Sequence, residues 1–346
     1  MRILFGVSHP KHVYIFKNVI KNLMERNHEI KIIAVDKEIT AYLLKQFNLP
    51  HIIIGKNQPK LYKKLLVLPN WEYFTYKISK EFKPDIIVGR ALPHLAHISK
   101  ILNTPFIVFE DTEVARALHR ITLPFADAIV TPECYSRNAG KKHIRFNGYF
   151  ELGYLHPNYF KPSPSVLSEL GLDNDEKFVI VRFVAWIASH DIGDSGFSDK
   201  KKLIMSLKEK CKVFISSETE LPKELERFRI TISPEKIHHL MYYANLFIGE
   251  SATMAAECAI LGTPGILVST SRRGYTDELE QRYDMVYTFS EEQNSQEKAL
   301  HRALELLEDN KTKKKWKDKK ENLLKEKIDV THFMTEFIEN YLEIKK

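Results

Sequence analysis

The segment VFEDTEVAR places three carboxylates, Glu110, Asp111 and Glu113, within four residues, directly after an apolar run that reads as a strand. Like charges packed this closely repel unless they exchange protons or meet cations, for which Arg116 and Arg182 are candidates. Perturbed titration of this kind suits acid–base chemistry, which makes Asp111 and Glu113 candidate catalytic groups. The same residues also fit a helix start, with Asp111 or Thr112 as cap and Glu113 near the positive helix end. A second candidate source of proton transfer is GVSHPKHVYIF, where His9 and His12 follow the first strand. Imidazole titrates near neutrality, so either ring can serve as a general base, or simply be polar surface. In RFVAWIASHDIGDSG, Arg182 offers a two-pronged contact to a diphosphate, and His190 a donor or proton carrier. ISSE ends a further strand with Ser216 and Glu218.

The stretch GESATMAAECAILGTPG carries Glu250, Ser251, Thr253 and Glu257 through an otherwise small and apolar run. In an open parallel sheet, ligands bind where a strand hands over to its helix. Small residues there allow close approach, and the free N–H groups of a helix start attract an anion such as a diphosphate. Glu257 falls one turn into that helix, on roughly the face of Thr253, where a carboxylate accepts two hydrogen bonds from a sugar diol such as a ribose. The plainer alternative is a local pair on a packed helix.

These loops need elements to hold them. RILFGVS, EIKIIAVD, PDIIVGR, TPFIVFED and DAIVTPE read as strands separated by helix-periodic segments, the pattern of parallel strands with crossover helices. The alternation restarts with KFVIVRFV, CKVFISSE, RITIS, LFIGES and PGILVS. At 346 residues, two compact halves are expected: an α/β domain over 1–150, a linker over 151–172 rich in Pro, Gly and Tyr, and a second α/β domain over 173–330. Residues 331–346 read as an amphipathic helix.

Composition removes several classes. Cys134, Cys211 and Cys258 are widely spaced with no CxxC pair, which argues against a disulfide framework or zinc site and for a reduced cytoplasmic interior. The N-terminus runs straight into a strand and has no signal-peptide pattern, and no apolar run reaches the length of a membrane span. Net charge is +7, but much of it lies in KTKKKWKDKKENLLKEK, whose interleaved acids read as a solvated helix, the alternative being a peripheral contact with anionic lipid at the inner face of the membrane. No nucleic-acid recognition module is visible. With no Asp-x-Asp pair and no ligand cluster, neither a metal nor a cofactor is expected.

Strand, small and hydroxyl residues, a Glu inside an Ala-rich helix, then LGTPGI resembles the donor-binding motif of B-fold glycosyltransferases. It is also similar to that of the non-hydrolysing UDP-N-acetylglucosamine 2-epimerases. The ordered set SHPKHVYIFKNVI, PDIIVGR, FEDTEVA, VRFVAWIASHDIG, ISSE and SATMAAECAILGTPG resembles an uncharacterised archaeal and bacterial family, domain-of-unknown-function family 354, grouped with those enzymes. The resemblance implies an α/β fold of two Rossmann-like domains facing across a cleft. Its substrate would be a nucleotide-sugar donor, bound mainly by Arg182, Ser216, Glu218, Glu250, Ser251, Thr253 and Glu257. His9, His12, Asp111, Glu113 and His190 would carry the chemistry. The implied activity is metal-independent glycosyl transfer in cell-surface polysaccharide or glycoconjugate assembly; the alternatives are nucleotide-sugar epimerisation and nucleotide-sugar binding without catalysis. KLYKKLLVLPNWEYFTYKI resembles the membrane-facing patches of transferases with lipid-linked acceptors, and as an aromatic stripe it also fits a core helix.

Overall fold

A computed structural model describes residues 1–58, 60–185, 197–290 and 294–344. The chain forms two compact units, Met1–Tyr159 with Ile328–Lys346, and Phe160–Lys327. The first contains β1 (Arg2–Val7), α1 (Pro10–Glu25), β2 (Glu29–Asp36), α2 (Thr40–Gln46), β3 (Ile52–Lys56) and α3 (Leu61–Phe82). It continues through β4 (Ile86–Gly89), α4 (Pro93–Leu102), β5 (Phe106–Phe109), α5 (Arg116–Thr122), β6 (Ala128–Pro132), β7 (His143–Phe146) and α6 (Leu152–Leu155). Its seven parallel strands lie in the order β3-β2-β1-β4-β5-β6-β7, so the order reverses between β1 and β4. A crevice for ligands belongs at such a reversal, outside the carboxyl ends of the strands.

Buried runs such as Ile3–Phe5, Ile86–Val88 and Phe106–Phe109 fill both faces of the sheet, as parallel strands covered by helices require. Gly6 and Gly89 pair across β1 and β4, and a Cβ on either would run into the Leu95 side chain of α4. That close seating delivers the loops after β1 and β4 to the same edge of the sheet.

The second unit contains α7 (Ser165–Glu169), β8 (Phe178–Phe183), α8 (Lys200–Lys208), β9 (Lys212–Ser217), α9 (Ile237–Tyr243) and β10 (Leu246–Gly249). There follow α10 (Ala252–Leu261), β11 (Gly265–Val268), α11 (Gly274–Gln281), β12 (Val286–Phe289), α12 (Ser295–Glu308) and α13 (Thr312–Glu326). The parallel order β12-β11-β10-β8-β9 reverses between β8 and β10. α10 ends at Gly262, whose φ of +87° is the left-handed conformation that glycine adopts without a Cβ penalty.

Three features differ from the sequence reading. The final helix α14 (Val330–Ile344) completes the first unit: Phe333 stacks on Phe146 at 5.2 Å, and Thr331 Oγ1 donates to the Gly153 carbonyl at 2.6 Å. Residues 151–172 do not form one linker, because Leu152–Leu155 is buried in the first unit and Val166–Leu167 in the second. RITIS makes only an isolated bridge, Ile215 to Arg229, and Pro234, which has no N–H for a ladder, follows directly.

Candidate functional site

In the first unit the candidate groups come from four strand ends. After β1, His9 caps α1: its Nδ1 accepts the Lys11 backbone N–H at 3.1 Å. His12 Nδ1 accepts the Ser8 N–H at 3.3 Å. A backbone N–H can only donate, so each neutral ring carries its proton on Nε2. Burial, then Arg90, pushes the His12 pKa well below its ordinary value, so this ring is neutral at physiological pH. In this tautomer both histidines offer an N–H rather than a basic nitrogen at Nε2, a different capacity from the general base expected of them.

The carboxylates after β5 do not cap a helix. α5 starts at Arg116 with Ala115 as its cap residue and no side-chain cap bond. Their cations are Arg90, which follows β4, and Lys11. Arg90 Nη2 donates to Glu110 Oε1 at 2.6 Å and to Asp111 Oδ1. Lys11 Nζ lies 2.8 Å from Asp111 Oδ2 and 2.9 Å from Glu151 Oε1. Glu110 Oε1 also accepts the N–H groups of Asp111 and Thr112, at 3.0 and 2.9 Å. Arg90, Glu110, Asp111 and Glu151 are all buried.

Burial alone would push the Glu110 carboxyl up, but Arg90 and His119 outweigh it and hold the pKa at about 2. For Asp111 the same opposition, with Arg90 and Lys11 as the cations, leaves the pKa well below the usual carboxylate range. Glu151 goes the other way: burial outweighs Lys11, and Asp111 adds to the upward push. The charge count explains the split. Glu110, Asp111 and Glu151 share Arg90 and Lys11, so one carboxylate is in excess, and Glu151, reached among the described residues by Lys11 alone, is the one that favours its proton. Glu113 Oε1 accepts the Ser136 N–H at 3.3 Å, and its backbone carbonyl accepts from Arg137 Nη1 at 3.0 Å. Among the described residues nothing accepts from Arg90 Nε or Nη1, although both are buried.

In the second unit, Arg182 at the end of β8 donates from Nη1 to Ser216 Oγ at 2.6 Å and from Nη2 to Glu218 Oε1. Glu218 Oε2 accepts the Ala185 N–H at 3.1 Å. These three predicted residues therefore form one cluster, in which the guanidinium is already paired with a carboxylate. Gly249 is the register partner of Arg182, and a Cβ there would approach the Arg182 carbonyl to 2.8 Å. Glu250, expected to touch ligand, instead accepts the N–H of Val184 at 2.8 Å and of Phe197 at 2.7 Å. It ties together the chain on either side of 186–196, which suits a buried carboxylate with both oxygens engaged.

Ser251 caps α10 through Oγ, which accepts the Met254 N–H at 3.3 Å, and half-buried Thr253 lies in the first turn. The opening N–H groups of a helix have no intrahelical acceptor and present a positive end at the β8–β10 reversal. Glu257 is buried one turn further on, 3.0 Å from His238 Nε2 of α9. His190 lies outside the described residues. Among the described residues there is no group of three or more His, Cys, Asp or Glu placed to hold a metal ion.

Lys11, Arg90, Glu151 and His238 were not singled out in the sequence. Arg90 and Lys11 carry one usable signal, a charge within a few residues of a parallel strand's carboxyl end. Glu151 carries none, because its neighbourhood reads as a linker.

Two parallel α/β units, each with its candidate residues at a strand-order reversal, define a glycosyltransferase-B-like fold of two Rossmann-like domains. The chain belongs to the family described as Protein of unknown function (DUF354), matched over residues 1–343. It is similar to uncharacterized protein MJ0665 of Methanocaldococcus jannaschii, 25% identical over 278 residues that cover 76% of this chain and 80% of that protein. In structure it is similar to UDP-GlcNAc 2-epimerase from Neisseria meningitidis bound to UDP-GlcNAc. That match has a TM-score of 0.67 and 14% identity, and covers 91% of this chain and 94% of the other. It is likewise similar to glycosyltransferase VinC in complex with dTDP, with a TM-score of 0.61 and 11% identity over 98% and 99% of the two chains.

Proposed function

We propose that this protein is an enzyme that transfers a sugar from a nucleotide-activated donor to a hydroxyl-bearing acceptor in cell-surface polysaccharide or glycoconjugate assembly at the cytoplasmic side of the membrane. The observation that carries the reading is Glu257. It is a buried carboxylate one turn into α10, oriented by His238 and set behind a Ser-capped helix start at the strand-order reversal. A carboxylate so held suits the ribose diol of a nucleotide, and the helix start suits its diphosphate. Arg182 reaches a phosphate by giving up its pairing with Glu218.

Epimerisation, the alternative, removes a carbon-bound proton and needs a base at that carbon, whereas transfer needs an acceptor hydroxyl. Incubating the protein with UDP- and dTDP-sugars in D2O, with and without acceptors, tests the reading by NMR. Transfer releases nucleoside diphosphate only with an acceptor and leaves the sugar carbons protonated. Deuterium at a sugar carbon without acceptor would replace transfer by epimerisation, and binding without turnover would leave a non-catalytic sugar-nucleotide binder.

A further inference from the structure

The face of α3 that turns outward is apolar where a soluble helix carries charge. Tyr62, Leu65, Leu66 and Tyr73 are 55%, 58%, 75% and 60% exposed. On a helical wheel they fall on one side together with exposed Pro69, over a length of about 17 Å. The opposite face is what holds the helix: Thr75, Ser79 and Phe82 are buried, Thr75 Oγ1 meets His94 Nδ1 at 3.1 Å, and Trp71 lies against Gly55 of β3. The outward leucines therefore bury little in this fold, and they cost solubility.

The charge around them is mainly positive. Residues 56–83 contain seven lysines and two glutamates, and Glu72 is engaged with His97 at 2.5 Å. Lys60 and Lys63 flank the apolar patch in exposed positions. α3 follows β3 and returns the chain to the start of β4, so its first turns lie at the carboxyl edge of the sheet, the edge that also carries Lys11, Arg90 and Asp111.

We infer that the first half of α3 docks on a membrane surface rich in anionic lipid, with Leu65 and Leu66 entering the headgroup boundary and the flanking lysines meeting the headgroups. Apolar side chains ringed by lysines match that partner in both hydrophobicity and charge. A lipid-linked acceptor would then be presented at the edge of the sheet that holds the charged network. This extension rests on the transfer reading; the docking itself does not.

The test is sedimentation of the full chain with vesicles of phosphatidylcholine alone or with 30 mol% phosphatidylglycerol, using binding as the readout so that failure of docking is separate from failure of transfer. The protein pellets with the anionic vesicles, and 0.5 M KCl weakens this. Leu65→Ser with Leu66→Ser lowers partitioning by about tenfold or more. Lys60→Gln with Lys63→Gln and Lys64→Gln does so by a similar factor. These positions are exposed or half-exposed, and unchanged circular dichroism and melting temperature confirm that the variants fold. Equal binding to both vesicle types overturns the inference. So does the absence of pelleting, in particular if the protein sediments as a dimer that the leucine variant dissociates, which would make this face a self-association surface.

Discussion

Arg90 is the centre of the buried charge network, and its removal has a calculable signature. The Glu110 carboxyl sits at about 2 instead of 4.5, a preference for the ionised form of about 3 kcal/mol, to which Asp111 adds in the same direction. A depressed carboxylate contributes stability above its unfolded pKa and loses it as pH falls through the folded value. The wild-type contribution from Glu110 is thus fully present above about pH 4.5 and disappears towards pH 2. Arg90→Met leaves Glu110 and Asp111 buried, and Asp111 with Lys11 as its remaining cation. The cost at pH 7 is about 3–5 kcal/mol, the usual penalty for stripping one partner from a buried ion pair. Because the variant's carboxyls take up protons more readily, its deficit shrinks as pH falls from 7 to 4. Hydrogen exchange of peptides covering β4 and β5, followed against urea at both pH values, reads the first unit separately from the second. A deficit below about 1 kcal/mol at pH 7, or one that is the same at pH 4, refutes the charge assignment.

Asp111→Asn leaves two carboxylates for two cations, so the fold should survive while turnover falls by about 10² to 10⁴; normal turnover with a lowered melting temperature would make Asp111 purely structural. Glu257→Ala and His238→Ala should each weaken UDP binding by about 1–3 kcal/mol, read as a smaller UDP-induced rise in melting temperature, and unchanged affinity in a folded Glu257→Ala protein removes it from the site. Glu151 is raised above its ordinary value, so it stabilises the fold at acid pH and loses that contribution as pH rises through its folded pKa; Glu151→Gln should flatten this fall, and equal urea midpoints against pH in both proteins from pH 5 to 9 contradict it. EDTA treatment should leave transfer intact, and a strict requirement for Mg²⁺ or Mn²⁺ would show that the helix start and Arg182 do not suffice for the diphosphate.

The two α/β units and their central strands are legible in the sequence because apolar runs such as IIVG and LFIG are local and are buried on both faces. The strands that escape notice are β3, β7 and β12, and each lies at the edge of its sheet. Edge strands bury less, so residues such as Ile52, Ile53 and Arg145 stay exposed and the periodic signal fades. The start of α10 at Ser251 and its end at Gly262 follow from cap chemistry that a few neighbouring residues decide. The same locality placed Asp111, Arg182 and Glu257 near strand or helix ends before any fold was known.

Their partners are another matter. Lys11 and Asp111 are 100 residues apart, Arg182 and Glu218 36, and His238 and Glu257 19. Pairing at such separations depends on which strands lie side by side, and β1 meets β4 only because the strand order reverses there. Whether a carboxylate is a ligand group, a clamp for a loop or a member of a buried charge network depends on what the folded chain brings within about 3 Å of it. Sequence alone therefore determined the kinds of groups present and the strand ends that carry them. Tertiary structure decided that Glu250 serves the backbone, that Asp111 is held ionised between two cations, and that Glu151, in a segment that reads as a linker, is the buried carboxylate left in excess.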